Sequence, residues 1–363
     1  MSDSRTAASL LATGMVKPPR LRRGDTVATV SLSWGGAGKF PERYNTGKRQ
    51  LQDEFGLRVI ECPHTMADPD WLWRNPRARA DDLMTAFADP AVRGIVSTIG
   101  GDDSIRLLPY LDLQVIRSNP KVVLGFSDTT ICHMACFKAG LVSFYGPAIM
   151  AGFAENGGLF PYMVAAIRRT LFEREPVGIV EPNQDGWTAE VLNWDIPENQ
   201  NRRRTLHSCE VWNWLQGTGV HRGHLLGGCF EVFDWLRGTE YWPSPESWRG
   251  AILFLETSED APPPSQLGYA LRVYGAMGVL QGLSAILLGR PGGDIPPRQF
   301  DNYDRIVQEV TSKELGLTDL PIITGMDFGH TDPMFVLPYG VLAEVDCNRR
   351  LFSILESGVA DGA

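Results

Sequence analysis

Ser127 stands where an acyl-transfer nucleophile would stand. Lys121-Val-Val-Leu-Gly-Phe-Ser-Asp-Thr-Thr130 reads as a short buried strand over 122–126 that turns sharply into a helix over 131–138. Gly125 relaxes the backbone just before that turn. The hydroxyl would sit at a strand's carboxyl end and a helix's N-terminus, where free N–H groups and the helix dipole favour negative charge. The same Ser-Asp-Thr-Thr run would also serve as a helix N-cap, and at this level both readings stand.

A serine nucleophile needs a base, and that base needs an orienting carboxylate. Among six histidines, His330 closes Pro321-Ile-Ile-Thr-Gly-Met-Asp-Phe-Gly-His330, a strand running into a Gly-flanked loop from which an imidazole can reach a cleft. A lone loop histidine is more often a surface residue, so the loop alone does not decide the role. Glu256 closes the apolar strand Ala251-Ile-Leu-Phe-Leu-Glu256. A carboxylate there has reason to be paired, unlike the solvated Glu259 and Asp260, although a strand end facing water fits equally well. For the oxyanion, Asp128 N–H follows the nucleophile directly. The paired glycines of Thr98-Ile-Gly-Gly-Asp-Asp-Ser104 let Gly101 N–H approach a reacting carbonyl, with Gly100 and Asp102 beside it as substrate contacts. Phosphate is disfavoured in this loop, which lacks Gly-Lys-Ser/Thr and carries Asp102 and Asp103.

These groups need a frame. The 363 residues exceed one ordinary core, which points to two domains. From 24 to about 153, apolar strand-like runs alternate with helical patterns: strands near 26–32, 57–61, 94–99 and 122–126, helices near 44–55, 76–88 and 103–111. That rhythm predicts a parallel sheet with helices on both faces, whose ligands bind at the carboxyl ends of the strands. Three loops leave such ends: 31–36, 100–104 and 127–130. We divide the chain into an N-terminal extension, 1–20, a domain carrying the nucleophile, 21–168, a linker, 169–185, and a second domain, 186–363. The second domain is α+β.

A net charge of −9 argues against a nucleic-acid polymer as partner and for a small substrate. No apolar run has the length of a membrane helix, and six scattered cysteines suit reduced thiols in a cytoplasmic protein. Cys132-His133-x-x-Cys136 offers no second ligand pair, and His221-Arg-Gly-His224 lacks the glutamate of a zinc-protease helix, so neither a metal nor another cofactor is implied. An insert at about 186–222 holds Trp187, Trp194, Trp212 and Trp214 with Arg202-Arg-Arg204. The indoles, Trp187 and Trp212 first among them, suit either a base-stacking surface or a seam between domains. The arginines suit either a phosphoryl group or a solvated loop.

Taken together, these segments resemble the LD-carboxypeptidase family, which includes the microcin C self-immunity peptidases. The resemblance rests on Leu21-x-x-Gly-Asp-Thr-Val-Ala-Thr-Val-Ser-Leu-Ser33, Ile99-Gly-Gly-Asp-Asp-Ser-Ile-Arg-Leu-Leu-Pro-Tyr-Leu-Asp112 and Gly125-Phe-Ser-Asp-Thr-Thr130. Tyr145-Gly-Pro147, Leu288-Gly-Arg-Pro291 and Gly329-His330 continue it in order. It implies an N-terminal Rossmann-like domain bearing the serine and a barrel-like C-terminal domain bearing the other two, with a Ser127–Glu256–His330 triad in the interdomain cleft, within a homodimer. Gly227-Gly-Cys229 departs from the family, which often has asparagine after the glycines. Ile-Gly-Gly-Asp-Asp replaces the Arg-Gly-Gly-Tyr-Gly of the carboxypeptidases proper, and the insert is longer than theirs. The last two departures tilt the expectation toward cleavage of an aminoacyl-nucleotide or small peptide, with a murein tetrapeptide as the alternative. A non-catalytic ligand-binding protein using the same cleft is the reading from another class.

Overall fold

The computed structural model describes residues 14–209 and 211–362. Most of the expected N-terminal extension lies outside the described residues. Its end is tied down by backbone bridges from Val16 to Leu141 and from Pro19 to Ala360.

Apolar runs build two sheets. The first contains β1 (Thr26–Val30), β2 (Arg58–Glu61), β3 (Val92–Ser97), β4 (Val122–Gly125) and β5 (Phe144–Tyr145). The second contains β6 (Gly178–Val180), β7 (Asn213–Gln216), β8 (Val220–Cys229), β9 (Ile252–Glu256), β10 (Ala285–Gly289) and β11 (Ile322–Met326). The chain then returns β12 (Leu337–Pro338) to the first sheet and adds β13 (Leu342–Asp346) and β14 (Leu351–Ile354) to the second.

The first sheet runs β12-β5-β4-β3-β1-β2 and is parallel except at β12. β1, β3 and β4 are near-continuously apolar because helices cover both faces. The strand order reverses between β1 and β3, a switch point that leaves a crevice beyond their carboxyl ends. Helices Pro41–Phe55 and Pro76–Ala88 match the helical patterns read from the sequence. The segment expected as a helix over 103–111 is instead a 3₁₀ helix, Ser104–Tyr110, with Pro109 inside it. Proline has no N–H to donate and its ring crowds the preceding turn.

The second sheet runs β6-β14-β13-β8-β9-β10-β11-β7, with β8 to β11 parallel and the flanks antiparallel. It is an open mixed sheet, and it does not close into the barrel-like form expected. Helix Thr130–Ala139, directly after Ser127, touches β5 of the first sheet and β8 of the second. Nine of its ten residues are accordingly buried. The nucleophile turn is thereby clamped between the two sheets.

Candidate active site

Ser127 leaves β4 with φ +60°, a left-handed conformation that a side chain adopts at a cost. Its carbonyl accepts from Thr130 Oγ1 at 2.7 Å, and its N–H donates to Tyr145 Oη at 3.1 Å. No helix-capping bond from Ser127 is made, so the turn is a strained elbow that projects the hydroxyl, and the N-cap reading is not taken up. Below it, His133 Nε2 pairs with Gly125 O and Nδ1 with Ser143 Oγ, both at 2.9 Å. Burial lowers this imidazole to about 4, so it is neutral and props the strand end.

Glu256 ends β9 of the opposite sheet, 2 % exposed. Its Oε2 lies 2.6 Å from His330 Nδ1 and accepts His330 N–H at 3.2 Å. Its Oε1 accepts from Tyr145 Oη. Tyr145 therefore joins the nucleophile's own backbone to the carboxylate, across the two sheets. Burial first, and Glu256 next, push its phenol well above the usual range, so it remains a donor. Gly329, at φ +94°, makes room for this arrangement, because a Cβ there would lie 2.6 Å from Glu256 Oε2.

The ring of His330 meets that of Phe126 edge-on, with centroids 4.9 Å apart. Its Nε2 lies 2.9 Å from Oε2 of Glu259, a residue expected to be merely solvated. Burial pulls the imidazole's affinity for protons down, but Glu256 and Glu259 outweigh it and hold His330 well above its ordinary value. In return, His330 holds Glu259 below the usual carboxylate range.

The Gly-Gly loop approaches the elbow closely. A Cβ on Gly100 would lie 2.7 Å from Ser127 Oγ and 3.5 Å from Asp128 N, so only glycine fits there. Asp128, fully buried, pins the loop by accepting from Asp103 N, Ser104 N and Ser104 Oγ at 2.7–3.1 Å. Burial raises its pKa despite these donors. Asp103 in turn receives both Arg79 guanidinium nitrogens, at 2.6 and 2.9 Å.

A cleft of about 610 Å³ opens over these groups and contains Ser127, Gly100, Gly101, Asp102 and His330 among its walls. Its far end is aromatic. Trp34 and Trp194 lie nearly parallel, with centroids 6.4 Å apart and planes at 24°, and the Arg43 guanidinium sits over Trp194. Of the indoles singled out in the sequence, Trp187 and Trp212 line no part of this cleft. Trp187, 2 % exposed, packs on His207, Phe300 and Arg290, while Trp212 Nε1 donates to Asp327. Both are packed inside the second domain, against its own residues, and Trp194 with Trp34 is what the cleft displays. The arginine run is likewise committed internally: Arg202 pairs with Glu190, and Arg204 with Glu155 and Asp332.

Ligand atoms of Cys229, Glu256 and His330 lie within 4.8 Å of one another. Both Glu256 oxygens already accept hydrogen bonds, and burial, then Glu256, raises the Cys229 thiol far above the range in which it would be a thiolate. That donor set carries protons better than it would hold a cation.

Two family models match the chain: the LD-carboxypeptidase N-terminal domain over 27–146 and the LD-carboxypeptidase C-terminal domain over 222–345. The chain belongs to the LD-carboxypeptidase family. It is a hydrolase of the serine-peptidase kind. It is 29 % identical over 339 residues to the microcin C7 self-immunity protein of Escherichia coli, covering 92 % of this chain and 94 % of that one. Among solved structures, a microcin-immunity-like protein from Streptococcus pneumoniae in complex with AMP superposes with a TM-score of 0.81 at 30 % identity. That match covers 91 % of this chain and 98 % of the other. The microcin C7 self-immunity protein in complex with aspartyl sulfamoyl adenosine gives 0.81 at 27 % identity, covering 95 % and 100 %.

Tyr145 and Glu259 escaped sequence reasoning as members of the site. Tyr145 lies in a motif that was noticed, but nothing in the string reports where its hydroxyl points. Glu259 sits in a polar loop whose composition reads as solvated.

Proposed function

We propose that this chain hydrolyses the amide joining an aminoacyl group to a nucleotide-like moiety, through an acyl-enzyme on Ser127. Ser127 Oγ attacks the carbonyl carbon and gives its proton to His330 Nε2, while Glu256 stabilises the imidazolium through Nδ1. Gly101 and Asp128 N–H groups receive the oxyanion. Collapse breaks the C–N bond, and the leaving nitrogen takes the proton from His330. Water then attacks the ester with His330 again as base, releasing the amino acid and restoring the hydroxyl.

One observation carries this reading: the Glu256–His330 pair, on one sheet, shares a cleft with a strained serine elbow on the other. The near-parallel indoles at the far end favour a base-bearing leaving group, because a planar ring stacked on an indole is worth about 1–3 kcal/mol. The similar structures in complex with AMP and with aspartyl sulfamoyl adenosine point the same way. The protein acts as a cytoplasmic homodimer; its six cysteines, all unpaired, suit a reducing compartment, and light scattering tests the dimer. No helix among the described residues is long and apolar enough to cross a membrane.

The test is a substrate panel, an aminoacyl sulfamoyl-adenosine against a murein tetrapeptide, with wild type and Ser127→Ala. The nucleoside substrate is expected to be preferred and the variant to lose about 10⁴-fold or more in kcat. Preference for the tetrapeptide overturns the substrate class, and undiminished turnover by Ser127→Ala overturns the mechanism.

A further inference from the structure

We propose that Glu259 is the receptor for the ammonium group of the substrate's acyl residue, and that its capture by this cation frees His330 Nε2 to take the proton of Ser127. The proposal rests on the hydrolase reading above and names what the acyl group must carry. Its starting point is geometric: the nitrogen that must receive the serine proton lies 2.9 Å from a carboxylate oxygen of Glu259. With Glu256 on the other nitrogen, the imidazole is held between two anions as imidazolium, which has no lone pair to act as base.

The two carboxylates differ in how firmly they are held. The Glu256 side chain is 0 % exposed and accepts from Tyr145 as well, so that pair is built in. The Glu259 side chain is 61 % exposed, on the loop that follows β9. An ion pair with one partner so open to water is exchanged more readily than a sealed one. It can therefore be exchanged for a better cation.

The cleft is arranged to supply that exchange. Its walls carry Asp102, Glu190, Glu259, Asp260 and Asp332 against Arg43 and Arg204. Arg204 is spent on Glu155 and Asp332, and Glu190 on Arg202. At the nucleophile's end, Asp102 and Asp260 make no ion pair among the described residues, so a cation entering there meets three carboxylates. An aminoacyl group carries its ammonium two bonds from the carbonyl carbon that Ser127 attacks. A carboxylate within hydrogen-bond range of the catalytic nitrogen is therefore also within range of that ammonium. When the ammonium takes Glu259, His330 loses one of its two anions, its proton passes to solvent, and Nε2 becomes the base. The titratable groups at the ring are then Glu256 and Cys229, with Phe126 the apolar wall, while Asp102 and Asp260 line the same cleft.

The probes are alanyl sulfamoyl-adenosine and its N-acetyl form, with wild type and Glu259→Gln. Wild type is expected to favour the free amine in kcat/KM by about ten- to a hundred-fold, the worth of one charge-assisted hydrogen bond. Glu259→Gln should shrink that preference below about threefold, by turning over the free amine less well and the acetylated form better. A variant that keeps the wild-type preference overturns the proposal. Independently of turnover, the His330 imidazole followed by NMR in the ligand-free protein should titrate at lower pH in Glu259→Gln. An unshifted titration overturns the contact itself. Turnover that survives Ser127→Ala would instead count against the hydrolase mechanism, and the NMR result would still judge Glu259.

Discussion

Replacing Tyr145 by phenylalanine removes one oxygen and disconnects two parts of the site. The hydroxyl is fully buried, accepts the N–H of Ser127 at 3.1 Å and donates to Glu256 Oε1. Without it, a buried amide in a strained elbow and a buried carboxylate oxygen each lose a partner. A bond to a charged group is worth about 1.5–3 kcal/mol and a neutral one about 0.5–1.5. The folded state should therefore lose about 2–4 kcal/mol, with no cavity larger than the missing oxygen. Catalysis should suffer through position: the elbow relaxes, and Glu256 turns less rigidly toward His330. We expect kcat to fall about 10- to 100-fold. KM should stay within about twofold, because Tyr145 is not among the cleft's walls. Steady-state kinetics on the aminoacyl sulfamoyl-adenosine, together with denaturant unfolding, measures both effects. A variant that loses stability but keeps full kcat would refute the reasoning, since it would make Tyr145 a packing residue alone.

Other outcomes follow from the same geometry. Gly100→Ala places a methyl 2.7 Å from Ser127 Oγ, so kcat should drop about 100-fold while thermal unfolding moves little. Trp194→Ala should raise KM for the nucleoside substrate about tenfold and spare a plain dipeptide. Trp187→Ala, removing a 2 %-exposed indole, should instead cost about 3–5 kcal/mol of stability, read by denaturant unfolding. His330 is held protonated in the folded state, with its proton affinity raised above that of the unfolded chain. Its contribution to stability is whole below the unfolded value near 6.5 and is lost as pH rises through the folded value. Melting temperatures should consequently fall from neutral to alkaline pH more steeply in wild type than in His330→Gln.

Much of this site is legible in the linear chain because its parts are local. A strand-length apolar run, a turn and a helix mark the elbow at Ser127, and the structure gives β4, a left-handed residue and helix Thr130–Ala139. Glu256 announces itself as a polar residue closing an apolar strand and His330 as one in the Gly-flanked loop after another, and paired glycines mark where backbones must approach. The alternation of strands and helices likewise predicts the parallel sheet and the loops at its switch point. Local runs also mislead where the deciding contact is distant. Trp187 and Trp212 share composition and neighbourhood with Trp194, yet two are buried inside the second domain and one faces Trp34, far away in sequence.

Sequence by itself determined the candidate residues, their order and the two-part architecture, because strand, turn and helix preferences act over a few residues. Tertiary structure alone decided that Tyr145 links the Ser127 backbone to Glu256, that Glu259 reaches His330 Nε2, and which indoles face the cleft. The physical reason is that a hydrogen bond or an ion pair depends on distances of about 3 Å between side chains, and those distances exist only once the two sheets have packed.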